Sequence, residues 1–505
     1  MIDEYNKEGK KTSVFNSFYL TEYLNRFIKI NKPEKSILQI NVLEHIKTIS
    51  QESYQKIFES YLLLIQLIEE PEDKNADNKI VIKQERHFKR FFYNNMLSLS
   101  MRQFYLFQNS NVLTEMLKSF AFIRFIFYDE TISKYTSEYL SFYKCNANEF
   151  LAKIYDLIKI FNTKNENNSY TYIIETNRLP ENVRFFLDNF AVLDLGSIDE
   201  SVNFLKLKPI IKLGENYILL SRLYNINQLI TRFKHDYYNK TTIAKEFGDN
   251  EYSRINYLSY VAKKFSEEVL FNNLMKKIFS EKRLRLGDEN IQNYPDAFVI
   301  EGNNLYFIEF KDIAFKEELV FNSSYEIVYE YVNKKLNTKK GIPQLINTIS
   351  KFYNTTLYES FVRNSKGSYN IYPILILTDV MYSSPGISSI LTDMFNDKRQ
   401  GLNNSKIKPL TVIDFEQLLT YAESYATKQF KLYKQIDEYN KELKKRIKRI
   451  KTSDSLEHYV NIFSPFGYSA FKKPPMTTNY VKFILEDNHI IDFLNDLEKL
   501  NNKVI

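Results

Sequence analysis

Tryptophan is absent from this 505-residue chain, so every benzene-type ring in it belongs to a tyrosine or a phenylalanine. Cysteine occurs once, at Cys145. A single thiol excludes an intramolecular disulfide framework and a cysteine-based zinc site. Cys145 reads as a small buried residue rather than a nucleophile. Histidine is sparse too: His45, His87, His235, His458 and His489 are scattered without metal-ligand spacing. Apolar runs such as residues 61–65 are too short to span a bilayer. The opening Met-Ile-Asp-Glu-Tyr is polar and acidic, unlike a secretory leader. A reduced, cytoplasmic setting away from membranes is the expectation. No Walker motif is present, which argues against a nucleotide-driven motor. There is no internal repeat and no low-complexity tract.

What is present is a globular composition. Hydrophobic residues make up 44% of the chain, which separates it from disordered sequences. The length allows two to four domains. A net charge of +7 is mildly basic and is compatible with a nucleic-acid partner without requiring one.

The richest stretch is 294–311. Two apolar runs flank Gly302-Asn303, the signature of a β-hairpin. With the turn centred there, Ile300 faces Leu305, Phe298 faces Phe307, and Asp296 lies across from Glu309. Strand side chains alternate, so Glu309 and Lys311 share a face, and Asp296 joins them. Carboxylates opposed at roughly 5 Å repel one another. A divalent cation between them would reverse that cost, and Lys311 can touch the same centre. A surface hairpin with a Glu/Lys alternation would account for the same letters. However, Phe307, Ile308 and Phe310 bracket Glu309, which argues for a semi-buried strand, where an unpartnered carboxylate is costly.

The rest of the chain divides by character. Residues 1–165 read as a helical N-terminal domain, with apolar spacings of three and four such as Ile57, Tyr61, Leu64, Ile65 and Ile68. Residues 166–250 read as a small mixed α/β region with a second hairpin around Gly214-Glu215-Asn216. The polar stretch 238–253 is its linker candidate. Residues 251–430 run helix (257–279), strand (283–286), hairpin, helices (324–336 and 341–352), strand (372–379), helix from Pro385, strand (409–414) and helix (415–426), with Asp414 as the N-cap of that last helix. Residues 431–505 read as a basic helical extension. Overlapping its start, 427–451 suggests one long helix with Ile436, Tyr439, Leu443, Ile447 and Ile450 as its apolar stripe. The expected class is mixed α/β.

Pro295-Asp296 followed by Glu309-Phe310-Lys311 resembles the PD-(D/E)xK nuclease superfamily over roughly residues 255–415. The resemblance implies a restriction-endonuclease-like αβββαβ core, carrying a large helical N-terminal region and a helical C-terminal extension. It implies a metal-dependent nuclease, with DNA favoured over RNA as substrate and restriction or antiviral defence as a setting by analogy. Mg²⁺, with Mn²⁺ as an alternative, would be held by Asp296, Glu309 and the carbonyl of Phe310. Lys311 would orient or deprotonate the attacking water. A further acid on the first core helix is expected at Glu268, because Phe271, Leu274 and Met275 follow at core-facing offsets; Glu267 is the alternative. Gln344, near the start of the second core helix, could touch a metal-bound water or a phosphate, with Lys340 nearby on phosphate. An ordinary helix start explains the same residues.

The segment 441–451 holds seven basic residues. Lys444, Lys445 and Lys448 among them could neutralise a nucleic-acid backbone; a solvated face is the plainer account. The run 463–468 could stack bases, although core packing explains it equally. Residues 1–245 carry no recognisable chemistry, which suggests recognition, a homodimer contact or a partner protein. Two other readings stay open: an inactive nuclease fold that binds nucleic acid or serves in assembly, and an RNA nuclease or toxin.

Overall fold

The computed structural model describes residues 112–161, 173–193, 210–219, 229–287, 294–316, 325–362, 364–379, 385–402, 405–420, 422–427 and 431–450, together with Leu319 and Tyr382. They form a mixed α/β protein with two separate sheets. Two compact units are present. One holds residues 112–116 and 135–241, the other 117–134 and 242–450. Most of the expected N-terminal helical region, and the run 463–468, lie outside the described residues.

Helix α1 (Val112–Tyr128) opens the described chain. The first unit then follows with α2 (Thr136–Phe142), α3 (Ala147–Phe161), β1 (Ile173–Glu175), α4 (Glu181–Phe190), β2 (Ala191–Val192), β3 (Ile210–Leu213), β4 (Asn216–Leu219) and α5 (Leu229–Lys240). Its sheet has the order β1-β4-β3-β2. β3 and β4 form the second expected hairpin, and its turn passes through Gly214 at φ +53, a region that favours glycine. Tyr139, Tyr143, Phe150, Phe186 and Phe233 pack its interior. The carboxylate of Asp236 accepts the hydroxyls of both Tyr139 and Tyr143, which compensates for burying it.

The boundary between the two units, at 241/242, falls inside the linker candidate 238–253, and part of this stretch is packed. A short 3₁₀ turn spans Ile243–Phe247, with Ile243 fully buried and Phe247 edge-on to Tyr257 at 5.7 Å. These two apolar anchors, inside an otherwise polar run, pull it onto the protein.

The second unit continues with α6 (Ser253–Val261), a π-helical stretch (Ala262–Phe271) and α7 (Asn272–Ile278) in one continuous rod. Then come β5 (Leu284–Leu286), β6 (Ala297–Glu301), β7 (Asn304–Lys311), α8 (Tyr325–Val332), α9 (Ile342–Asn354), β8 (Asn370–Leu377), α10 (Pro385–Lys398), β9 (Thr411–Asp414), α11 (Phe415–Thr420), α12 (Ala422–Ala426) and α13 (Leu432–Ile450). The sheet order is β5-β6-β7-β8-β9. β5, β6 and β7 run antiparallel; β7, β8 and β9 run parallel. Parallel neighbours need helical crossovers. α8 and α9 carry the chain from β7 to β8, and α10 carries it from β8 to β9.

Helices cover both faces of this sheet, which is why β8 reads as a nearly unbroken apolar run. On one face Tyr306, Ile308 and Phe310 of β7 meet Phe271, Leu274 and Met275, with Phe415, Leu418 and Ile436 completing the core. On the other, Phe307 meets Phe352 of α9 and Phe298 of β6. α1 is tied to the unit by Lys118, whose ammonium is 2.7 Å from buried Glu416. Asp414 caps α11 as expected, accepting the Glu416 N–H at 2.9 Å. Among the described residues, no helix is long and apolar enough to cross a membrane.

Candidate active site

The hairpin has the register that the Gly302-Asn303 turn implies. Phe298 pairs with Phe307 and Ile300 with Leu305. Gly302 sits at φ +63, a conformation open to glycine at little cost. Ala297 pairs with Ile308, so Asp296, one residue before β6, falls opposite Glu309. There its carboxylate takes up the strand's hydrogen bonding: Asp296 Oδ2 accepts the Phe310 N–H at 2.7 Å. Its own carbonyl accepts the Gly287 N–H at 2.8 Å, which pins it beside the end of β5. The ring of Phe310 stacks on Phe271 at 4.7 Å and 16°, fixing the middle of the Glu309-Phe310-Lys311 triplet from the opposite face.

Lys311 joins the two acids. Its Nζ lies 3.2 Å from Asp296 Oδ2 and 2.5 Å from Glu309 Oε1. Glu309 is 1% exposed, which is rare for a carboxylate and calls for compensation. Burial first, and the Asp296 charge second, push its carboxyl up to about 8 despite the ammonium. Lys311 is held above its usual range because attraction from Asp296 and Glu309 outweighs the desolvation that acts the other way. It is therefore an ammonium donor.

The two candidate acids of the first core helix have different surroundings. Glu268 turns to Lys264, 2.8 Å away one helical turn back, in a partly exposed pair. Glu267, the alternative, is the acid that senses the site. Its carboxyl is pushed up to about 7, first by burial and then by the charge on Asp296, with Lys311 opposing.

Gln344 is engaged in its own helix: its Oε1 accepts the Gly341 N–H at 2.8 Å at the start of α9. That bond makes it a cap, and no hydrogen bond joins it to Asp296, Glu309 or Lys311. Lys340 is exposed just before that cap. Lys444, Lys445 and Lys448 lie on α13, and their side chains are outside the described residues. Cys145 is half-buried in the first unit, and desolvation raises its thiol, the reverse of nucleophile activation.

Sequence reasoning passed over Asp312 and its partners. Asp312 follows Lys311 and accepts hydroxyls from Ser266 of the π-helical stretch at 2.5 Å and from Thr378 at 2.6 Å. β7 and β8 pair with Lys311 beside Leu377, so Asp312 falls beside Thr378. That neighbourhood follows from the strand pairing and is not visible before it.

The donor set fits a hard divalent cation. Glu309 Oε2 is buried without a hydrogen-bond partner, and Asp296 stands opposite it. Among the described residues, no group of three or more His, Cys, Asp or Glu side chains is placed to hold a metal ion. Two carboxylates and a main-chain carbonyl suit Mg²⁺, which keeps several waters. Comparison with protein-family models, with curated proteins and with solved structures returns no match.

Proposed function

We propose that this chain is a metal-dependent nuclease of the PD-(D/E)xK kind, hydrolysing phosphodiester bonds, with DNA favoured over RNA. The observation that carries the reading is the convergence of Asp296, Glu309 and Lys311, with Glu309 Oε2 buried and unpartnered. One oxygen of Glu309 is met by Lys311, and a bound cation would compensate the other. The element order also supports the reading. A helical rod, an antiparallel β5-β6-β7 meander, a helical crossover and parallel β8 correspond to the αβββαβ core.

Asp296, Glu309 and the Phe310 carbonyl would hold Mg²⁺ or Mn²⁺. When bound, the ion supplies Lewis-acid stabilisation of the phosphoryl oxygens and makes a water more acidic. Lys311 Nζ donates toward the scissile phosphate or the attacking water and offsets developing charge. Glu267, with its carboxyl near neutrality, is suited to accept a proton from that water at its carboxylate oxygens. The Phe310 N–H keeps the Asp296 carboxylate aimed at the centre.

The test is incubation of the pure chain with supercoiled plasmid, linear duplex, single strands and RNA, in Mg²⁺ or in EDTA. Cleavage that needs the metal is expected, strongest on DNA. Binding without cleavage of any substrate would favour an inactive nuclease fold. RNA cleavage alone would move the substrate class.

A further inference from the structure

We propose that Asp312 is a positioning residue. Its carboxylate clasps Ser266 and Thr378, and this clasp holds the π turn that presents Glu267 to Asp296 and Lys311. The inference rests on the nuclease reading of the site and adds to it what sets the geometry of the third acid.

Phe310 and Asp312 are two residues apart, so they leave the chain on the same side. Phe310 stacks on Phe271, and Asp312 accepts the Ser266 hydroxyl at 2.5 Å. The two partners on the helix are thus five residues apart. At 3.6 residues per turn, five residues rotate by about 140°, so an α-helix could not aim both at one strand. A π turn closes on the fifth residue. The Asn272 N–H donates to the Glu267 carbonyl in that pattern. The pair of contacts and the widened turn require each other.

The other carboxylate oxygen of Asp312 accepts Thr378 Oγ1 at 2.6 Å, and the Thr378 N–H donates to the Lys311 carbonyl at 3.3 Å. Asp312 is therefore tied to the ends of both β7 and β8. Ser266 is 2% exposed, so its hydroxyl has little access to water as a substitute partner. Glu267 is its immediate neighbour, and any rotation of the turn that frees Ser266 moves Glu267 with it. Single-turn π-helical insertions recur at functional sites because they re-aim side chains in this way.

The experiment compares Asp312→Ala, Asp312→Asn, Ser266→Ala and Thr378→Val with wild type, all as full chains. It reads Mn²⁺ binding by titration calorimetry, kcat and KM on duplex DNA, and amide hydrogen exchange across 262–272. Second-sphere partners of this kind are worth roughly 10–100-fold in metal affinity or activity. Asp312→Ala is expected to lose that much in kcat with KM little changed, and to exchange faster across 262–272. Asp312→Asn, which keeps one acceptor oxygen, should recover part of the loss. Ser266→Ala should reproduce the faster exchange. Where Asp312→Ala does not fold, Ser266→Ala and Thr378→Val decide, since each removes one arm of the clasp. Wild-type exchange, Mn²⁺ affinity and kcat in the foldable variants would overturn the inference. If wild type cuts nothing, the nuclease reading fails on its own, and exchange across 262–272 still decides whether the clasp holds the turn.

Discussion

Lys311 Nζ lies 2.5 Å from Glu309 Oε1 at a position where the carboxylate is 1% exposed. The same ammonium reaches Asp296 at 3.2 Å. Lys311→Ala would leave two carboxylates facing each other with that charge gone. Breaking a buried pair costs about 3–5 kcal/mol. A clear fall in Tm is expected without metal, together with a loss of cleavage of roughly 10²–10⁴-fold. Adding Mg²⁺ should restore much of the Tm and little of the cleavage. A cation offsets the repulsion but does not replace the positioned donor. Thermal unfolding and plasmid nicking read the two effects separately; recovery of both with Mg²⁺ would contradict the role given to Lys311.

A pH dependence follows from Glu309 and Glu267, whose carboxyls are pushed up from 4.5 to about 8 and about 7. Between 4.5 and those values the folded chain holds more protons than the unfolded chain. Stability therefore falls as pH rises through that window. Without metal, Tm should decline from about pH 5 to about pH 8, and Glu309→Gln should flatten the slope while abolishing cleavage. Saturating Mg²⁺ favours the ionised carboxylates and should reverse the slope. A wild-type Tm that is level across this range in EDTA would show that the two acids are not held as described.

Glu267 and Glu268 differ by one position and should differ sharply in effect. Glu267→Gln removes the acid that senses Asp296 and should lower kcat by roughly 10²-fold or more. Glu268→Gln breaks a partly exposed i,i+4 pair with Lys264 and should cost about 0.3–0.5 kcal/mol, with cleavage intact. Equal losses of kcat in both variants would undo the assignment.

That one-residue difference also marks where the sequence stops being legible. The hairpin register could be read in advance because turn chemistry at Gly302 and strict alternation both fix it, and a one-residue slip would carry Phe298 and Phe307 to the opposite face of the sheet. Asp296, Glu309 and Lys311 follow from that register. The choice between Glu267 and Glu268 could not be read, because α-helical spacing places both near Phe271, at four and three residues' distance. The contacts of this helix with the end of β7, Ser266 to Asp312 and Phe271 to Phe310, exist only after folding. The capping role of Gln344 is hidden for a similar reason: its bond to Gly341 depends on a backbone conformation that the letters do not record.

Gly341 and Gly302 offer a matched test of the fold. Both have positive φ, +69 and +63. A Cβ at Gly302 would meet nothing within 4 Å, whereas one at Gly341 would sit 3.0 Å from the Leu336 carbonyl oxygen. Gly302→Ala should cost about 1–2 kcal/mol from backbone strain alone. Gly341→Ala adds a clash with main-chain atoms and should cost more, and it should also disturb the cap at Gln344. Urea unfolding of the two variants checks the order; Gly341→Ala as the milder change would contradict the geometry at the start of α9.

The basic helix supplies the last test. α13 runs to Ile450 and carries Lys444, Lys445 and Lys448. Its amino-terminal part is anchored to the second unit: Leu432 and Ile436 belong to the core, and Asp437 accepts the Tyr372 hydroxyl at 3.0 Å. Reversing the three lysines to glutamate leaves Asp296, Glu309 and Lys311 untouched. If these lysines bind a nucleic-acid backbone, affinity should fall alike for all duplex sequences. The slope of log K against log salt should become shallower by about 0.9 for each phosphate that is no longer neutralised. Cleavage at saturating substrate should survive, because the charge lies outside the catalytic group. Fluorescence anisotropy across a salt titration measures the slope. Curves that overlay the wild type would identify this stretch of α13 as a solvated face and move the search for the phosphate-binding surface elsewhere in the chain.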